Sequence, residues 1–284
     1  MQRPDGPGAP TAQAGLSPGA VPPARRGKLL AVIVLVLLCA VLTLRSYELG
    51  RSALHAGLDK PARLLFLLSA TLGDVRAQNN LAGLYAEGRG GRRRDAAAAY
   101  WFERAAAAGI VQAQFNLANF YEEGRGVPRS TPKAAALFQQ AAEQGDVLAS
   151  FNLGVLYASQ RDDFAIDYAQ ATRWYRKAAD AGFASAQYNL GSLYATGMNG
   201  PKDFGQALPW YEKAAAQNHP KALLDLGSIH AFGLAGPKDL QRGLALLQRA
   251  AQRPETAAAA GERIAQACAD AAGAGASAPL CAGR

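Results

Sequence analysis

The sequence predicts an all-α fold: a right-handed α-solenoid of about five helix-hairpin repeats with capping helices, preceded by one transmembrane helix. Three observations carry that expectation. The first is a landmark pair, Asn80-Leu81, Asn116-Leu117, Asn152-Leu153, Asn189-Leu190 and Asp225-Leu226, which returns at intervals of 36, 36, 37 and 36 residues. A fixed period of this size marks stacked supersecondary units. The second is a companion signature, Trp101-Phe102, Leu137-Phe138, Trp174-Tyr175, Trp210-Tyr211 and Leu246-Leu247, each followed after two polar residues by an Ala-Ala pair. The third is an uncharged run from Leu29 to Leu44 that lies outside this register.

In chain order, residues 1–27 hold six prolines and five glycines with almost no large apolar side chain. No core can form there, and a disordered N-terminal tail is expected. Gly15-Leu16-Ser17-Pro18-Gly19 fits the hydrolase nucleophile pattern, but a Pro-rich tail offers neither the strand-to-helix turn nor the His and acid partners that the chemistry needs.

Residues 28–45 read as a transmembrane helix. Leu29–Leu44 is 16 residues without a charge, bracketed by Arg25, Arg26 and Lys28 on one side and Arg45 on the other. As a helix it spans about 24 Å against a hydrocarbon core of roughly 30 Å, a gap that snorkelling Lys28 and Arg45 can close. A cleavable signal peptide is the rival. Against it stand the 28 residues ahead of the run and the absence of a good small-x-small site around Cys39-Ala40-Val41. The excess of Lys and Arg on the N-terminal flank favours an N-terminus in the cytoplasm. The expected location is therefore a single pass through the inner membrane, with the repeats in the periplasm.

Residues 46–60 form a connector. From residue 61 the repeat solenoid begins, because Leu65 lies 36 residues before Trp101 and supplies the second helix of a leading half-repeat. Within each unit, Ala77, Ala113, Ala149, Ala186 and Ala222 stand three residues before the landmark, and Tyr85, Tyr121, Tyr157, Tyr194 and His230 five after it. With the Leu at +1 these make one face of a helix. Gly88, Gly124, Gly197 and Gly233 then close it, with Gln160 as the exception; glycine adopts the left-handed C-cap without a Cβ penalty. The Trp/Leu, its apolar neighbour and the Ala pair form a second apolar stripe. Each unit is thus a hairpin. Its residues each lose about 1–2 kcal/mol of backbone entropy, more than a few buried side chains at roughly 1.5–3 kcal/mol return, so neighbours must stack.

Two segments carry a family resemblance: Ala-Gln-Phe-Asn-Leu-Ala-Asn-Phe-Tyr-Glu-Glu-Gly from Ala113 to Gly124, and Trp174 through Tyr194. They resemble the Sel1-like repeat, the longer relative of the tetratricopeptide repeat. The resemblance implies a bacterial α-solenoid that serves as a non-catalytic protein-protein interaction scaffold or adaptor, often in the envelope. It equally admits an inhibitor or immunity protein that binds a toxic effector enzyme. The third copy, with Gln160 and one extra residue within Arg161–Asp167, departs from the pattern, as does the fifth with Asp225 and His230.

Thr256–Ala271 reads as an Ala-rich capping helix, and residues 256–284 as that cap with a flexible tail. Cys268 and Cys281 lie 13 positions apart. An oxidising compartment lets them bridge, for roughly 2–4 kcal/mol, while a reducing one leaves two thiols.

No chemistry is expected. His55, His219 and His230 are scattered, no Cys-x-x-Cys or His-Glu-x-x-His occurs, and no catalytic, cofactor-binding or metal-binding residue is assigned. The net charge of +8 is spread: residues 1–60 carry seven Lys and Arg against three Asp and Glu, and the rest 23 against 19. That balance argues against a nucleic-acid surface. The expected partner is another protein. First helices line the concave face in solenoids of this kind, which makes the −1 and +3 positions candidates: Phe115, Phe151 and Tyr188 at −1, and Asn119, Val155, Ser192 and Ser228 at +3. The +3 row is preferred for reading a partner, because the aromatic row also suits packing against the next repeat. A basic turn, Arg89, Arg92, Arg93 and Arg94, is a candidate for anionic lipid or an acidic partner.

Overall fold

The computed structural model describes residues 23–273 and Cys281. The disordered tail expected over residues 1–22, and most of the flexible tail expected beyond 273, lie outside the described residues. Those residues form thirteen helices: α1 (Pro23–His55), α2 (Asp59–Thr71), α3 (Val75–Glu87), α4 (Asp95–Ala107), α5 (Val111–Glu123), α6 (Thr131–Glu143), α7 (Val147–Ala158), α8 (Tyr168–Asp180), α9 (Ala184–Thr196), α10 (Phe204–Ala216), α11 (Pro220–Phe232), α12 (Leu240–Ala251) and α13 (Ala257–Gly273). Each helix packs on the one before and the one after, and α13 also returns onto α11. The result is an all-α solenoid.

The repeat positions explain the packing. The small residue at −3 is fully buried in every copy, from Ala77 to Ala222, and the Leu at +1 nearly so. In the second helices Phe66, Phe102, Phe138, Tyr175, Tyr211 and Leu247 occupy one column, all at 4% exposure or less. Each is worth roughly 1.5–3 kcal/mol as buried apolar surface, and the Ala pairs allow the helices to approach closely enough to cover it. Only the ring at +5 is less deeply placed than its periodicity suggests. Tyr85 is buried, but Tyr121, Tyr157 and Tyr194 are half-buried. Arg63 lies 4.4 Å above Tyr85 and Lys133 5.1 Å above Tyr121.

The leading half-repeat is completed from an unexpected source. α1 runs without a break to His55 and absorbs most of the anticipated 46–60 connector, leaving only a turn before α2. The last turns of α1 stand in for the missing first helix: Tyr47 tilts against Phe66 at 5.9 Å. Gly50 makes the approach possible, since a Cβ there would meet the Phe66 ring at 2.9 Å. The stretch holds no proline, its glycine at Gly50 is accommodated by the close packing on α2, and the helix runs on until the left-handed Gly57.

The apolar run lies in the N-terminal half of α1, where Val32–Leu38 and Val41 are each 45–60% exposed. Among the described residues no helix is long and apolar enough to cross a membrane, so the span expected over 28–45 lacks that support.

Four of the five repeats end their first helix on a left-handed glycine, Gly88, Gly124, Gly197 and Gly233, at φ 69° to 75°. In the third, Ser159 ends α7 in an extended conformation at φ −110°. The chain then takes nine residues, 159–167, to reach α8 where the other repeats take seven, and Arg161 pairs with Phe164 in an isolated bridge. Losing the glycine cap thus explains the 37-residue spacing of that copy.

Candidate protein-binding faces

The repeat turns fasten one unit to the next. Arg89 donates to both carboxylate oxygens of Asp59, at 2.7 and 3.2 Å, and Arg125 reaches Asp95 at 3.1 Å. These pairs are equivalent, one repeat apart, and each ties a turn to the N-terminus of the preceding second helix. Gly126 shows how tight the seat is: at φ +66°, a Cβ would fall 2.3 Å from the Asp95 carbonyl carbon. The basic turn is accordingly less cationic than its sequence suggests. Arg89 is paired with Asp59 and Arg93 with Asp95 at 2.8 Å. Arg92 and Arg94 are exposed and have no carboxylate partner among the described residues. Of the four arginines, Arg89 is engaged with the preceding unit and Arg93 with the acid two residues on, in its own turn.

The first-helix face is also more committed than expected. Phe115 meets Phe138 edge-on at 5.6 Å, and Phe151 meets Phe183 at 5.0 Å and Tyr175 at 5.9 Å. Tyr188 stacks on His219 at 4.9 Å, and its hydroxyl donates to Asp225 at 3.1 Å. The aromatic row packs mainly onto the second helix and closing turn of its own hairpin, and only the Tyr188 hydroxyl reaches the next repeat. In the +3 row, Val155 packs into a core cluster and Ser192 hydrogen-bonds the Tyr211 hydroxyl. Ser228, 2% exposed, accepts from Arg263 of α13 at 2.8 Å. That residue is covered by the C-terminal cap, whose reach across α11 the repeat pattern does not encode.

Asn119 is the candidate that faces open space. With Gly83 and Asn116 it lines a groove of about 360 Å³ between α3 and α5, whose rim carries Glu87, Glu123 and Arg125. At the other end of the row, burial pushes the Asp225 carboxyl above its ordinary range despite the bond from Tyr188. Burial also holds His219 below its usual value, aided by Lys221.

A second set of grooves lies between second helices. One, of about 370 Å³, sits between α4 and α6 over Leu117; another, of about 470 Å³, sits between α10 and α12 over Leu226.

One recurring group escaped the sequence reading. Gln78, Gln114 and Gln187 are buried two residues before the landmark, and each donates to a backbone carbonyl eight residues back, Ala70, Ala106 and Ala179, at 3.1–3.3 Å. Gln144 and Gln217 then donate to Gln114 and Gln187, each at 2.8 Å. The signal was present as Gln at −2 in three copies. The landmark Asn instead bonds side chains: Asn116 accepts from Gln112, and Asn189 pairs with Tyr175.

The structure bonds Cys268 to Cys281, Cα atoms 5.6 Å apart, with both side chains packed against the last core cluster. No group of three or more His, Cys, Asp or Glu able to hold a metal occurs among the described residues.

Comparison with known proteins places this arrangement. The Sel1 repeat model matches residues 75–110, 111–146, 147–183, 184–219 and 220–254, the five units seen in the fold. The chain is similar to a protective antigen of uropathogenic Escherichia coli with an SLR fold, at 30% identity and a TM-score of 0.68. The match covers 74% of this chain and 46% of that one, so this chain spans under half of that protein's length. It is also similar to a Sel1 repeat protein of Oxalobacter formigenes at 30% identity and a TM-score of 0.60, over 72% of this chain and 84% of that one. An immunity protein of Pseudomonas aeruginosa matches at 20% identity and a TM-score of 0.38, over 72% and 82% of the two chains; at that level it carries no argument about what this chain binds. No curated protein matches. Five matched repeats, stacked in register around one column of buried rings, make this chain a member of the Sel1 repeat family.

Proposed function

We propose that this chain is a non-catalytic interaction scaffold, tethered to the inner membrane by Leu29–Leu44, with its repeats in the periplasm. Sel1 repeat proteins act as protein-interaction scaffolds, and the observation that carries the reading here is the open groove around Asn119, Asn116 and Gly83. It offers amide donors and acceptors on rigid helices, with opposite charges at its rim, which suits an extended peptide better than a reacting small molecule. The exposed apolar surface of α1 and the Lys and Arg flanking it support the tether. The Cys268–Cys281 bond supports an oxidising compartment.

Two measurements test this reading. A C-terminal reporter active only outside the cytoplasm, combined with carbonate extraction, is expected to be active and membrane-bound; an intact but silent fusion, or extraction into the soluble fraction, removes the tether as proposed. A photo-crosslinking residue at Asn119 is expected to capture a protein that the same residue at the exposed loop site Lys238 does not. Equal yields from both sites sink the groove assignment. A captured enzyme silenced by the complex would move the chain to the inhibitor class.

A further inference from the structure

The two second-helix grooves are built from the same repeat positions, 109 residues apart. Glu103, Ala106, Leu117, Lys133, Ala136 and Leu137 line one; Glu212, Ala215, Leu226, Arg242, Ala245 and Leu246 line the other. Both fall in the repeats that carry Leu at a position where the remaining three carry Trp101, Trp174 and Trp210. The sister repeats show what fits there. Trp174 is 3% exposed against the cluster containing Phe138 and Leu153, with Arg173 at 5.0 Å and Lys177 at 5.5 Å from its ring. Trp210 packs on the Leu190 cluster under Lys213 at 4.0 Å.

We propose that the grooves at Leu137 and Leu246 each receive a tryptophan side chain of a protein partner, which completes the repeat as the chain's own Trp does elsewhere. Charge complementarity points to an aromatic rather than an aliphatic anchor. Arg249 stands three residues after Leu246, as Lys213 stands after Trp210 and Lys177 after Trp174, and lines the groove. A cation at that site attracts the negative face of an indole. In the other groove Lys133 fills the cationic role, 5.1 Å from the Tyr121 ring that forms part of the wall. Both volumes exceed the roughly 300 Å³ at which small-ligand sites begin. Buried Trp anchors next to Arg are also the residue types that dominate interface energetics. The grooves lie three repeat periods apart, so one partner presenting two anchors gains avidity from both.

The proposal rests on the protein-binding reading, and the two fail separately because a small probe tests the grooves without any partner. The probe is N-acetyl-5-fluorotryptophanamide, followed by fluorine line broadening against the full chain. Saturable broadening is expected, with N-acetylleucinamide failing to compete. L137W and L246W together should weaken probe binding by at least about tenfold, since the chain then carries its own indole. A136E and A245E place a carboxylate at each mouth, on exposed helix positions, where it repels the negative face of an indole, so they keep the fold while blocking the probe. Absence of broadening, or broadening that survives both double variants, overturns the proposal. A doubling of mass that L137W/L246W abolishes would also overturn it, because the occupant would then be a second copy of this chain. If the probe binds as expected while Asn119 crosslinks nothing, the groove assignment stands and only the first-helix reading fails.

Discussion

Repeats 1 and 2 close their turns differently from repeats 4 and 5, and the difference separates two ways of stabilising a solenoid. In the first pair, Arg89 and Arg125 reach back to Asp59 and Asp95 of the preceding unit. The second helices there start at Asp95 and Thr131, and their N-cap residues, Arg94 and Ser130, make no side-chain cap bond. In the later pair, Asp203 and Asp239 cap their own helices by accepting from the backbone N–H of Gln206 and Arg242, both at 3.0 Å. One arrangement couples neighbours and the other stabilises a unit from within. In a quasi-one-dimensional array, interface and intrinsic energies are distinct contributions, so removing the turn acid should loosen the neighbouring unit in repeats 1 and 2 but only its own helix in repeats 4 and 5, where Arg242 reaches Glu212 instead.

The largest test of that contrast is Gly126→Val. The residue combines φ +66° with a backbone collision at Asp95, and should cost about 3–5 kcal/mol, read as a lowered urea midpoint. Gly200→Ala, at φ +127° with open space around it, should cost about 1–2 kcal/mol. Equal losses would show that the turn of repeat 2 is not seated as described. Next comes Cys281→Ser, which removes a closed loop worth about 3 kcal/mol. Hydrogen exchange should quicken in α13 and leave α3–α8 unchanged; faster exchange throughout would mean the array behaves as one unit.

Smaller effects distinguish the two kinds of turn directly. Asp95→Ala should cost about 1–2 kcal/mol and Asp239→Ala about 1 kcal/mol, but only the first should shrink in 1 M salt, where charges beyond about 3 Å are screened. The pH dependence follows from sign. The guanidinium of Arg93, and then that of Arg125, holds the Asp95 carboxyl below its ordinary range. Its contribution is therefore present above the unfolded value and is lost as pH falls through the folded one. Asp225 behaves in the opposite sense. Burial raises its pKa, so ionisation penalises the native state as pH rises, and Asp225→Asn, which restores the residue of the other repeats, should stabilise the protein at neutral pH. Denaturant midpoints at pH 7 and pH 4 should show that gain shrinking on acidification; a gain that grows would contradict the buried carboxylate.

The repeat register was legible without coordinates because each hairpin uses the same few apolar positions. Ala113, Leu117, Phe138 and the Ala141-Ala142 pair announce their burial by spacing alone, since helix periodicity converts spacing into a face. The family followed from the same residues. The candidate sites were legible only in part. Phe115, Phe151 and Tyr188 were placed on the correct helices, yet whether an aromatic at −1 faces a partner or the next repeat depends on how closely units stack, which no single repeat records.

The sequence by itself determined the number of units, their hairpin form, the odd third turn and the likeness of the apolar columns, though not the buried row of Gln78, Gln114 and Gln187. Local spacing is enough for these because they are properties of one helix at a time. Only the tertiary structure decided the rest: that α1 supplies the missing half of the leading repeat, that Asp59 and Asp95 neutralise half of the basic turn, and that Arg263 covers Ser228. It also decided that replacing Trp with Leu leaves a groove. Most of these depend on how one helix seats against another, which is set by stacking many small helix interfaces in series and not by the spacing along any one helix.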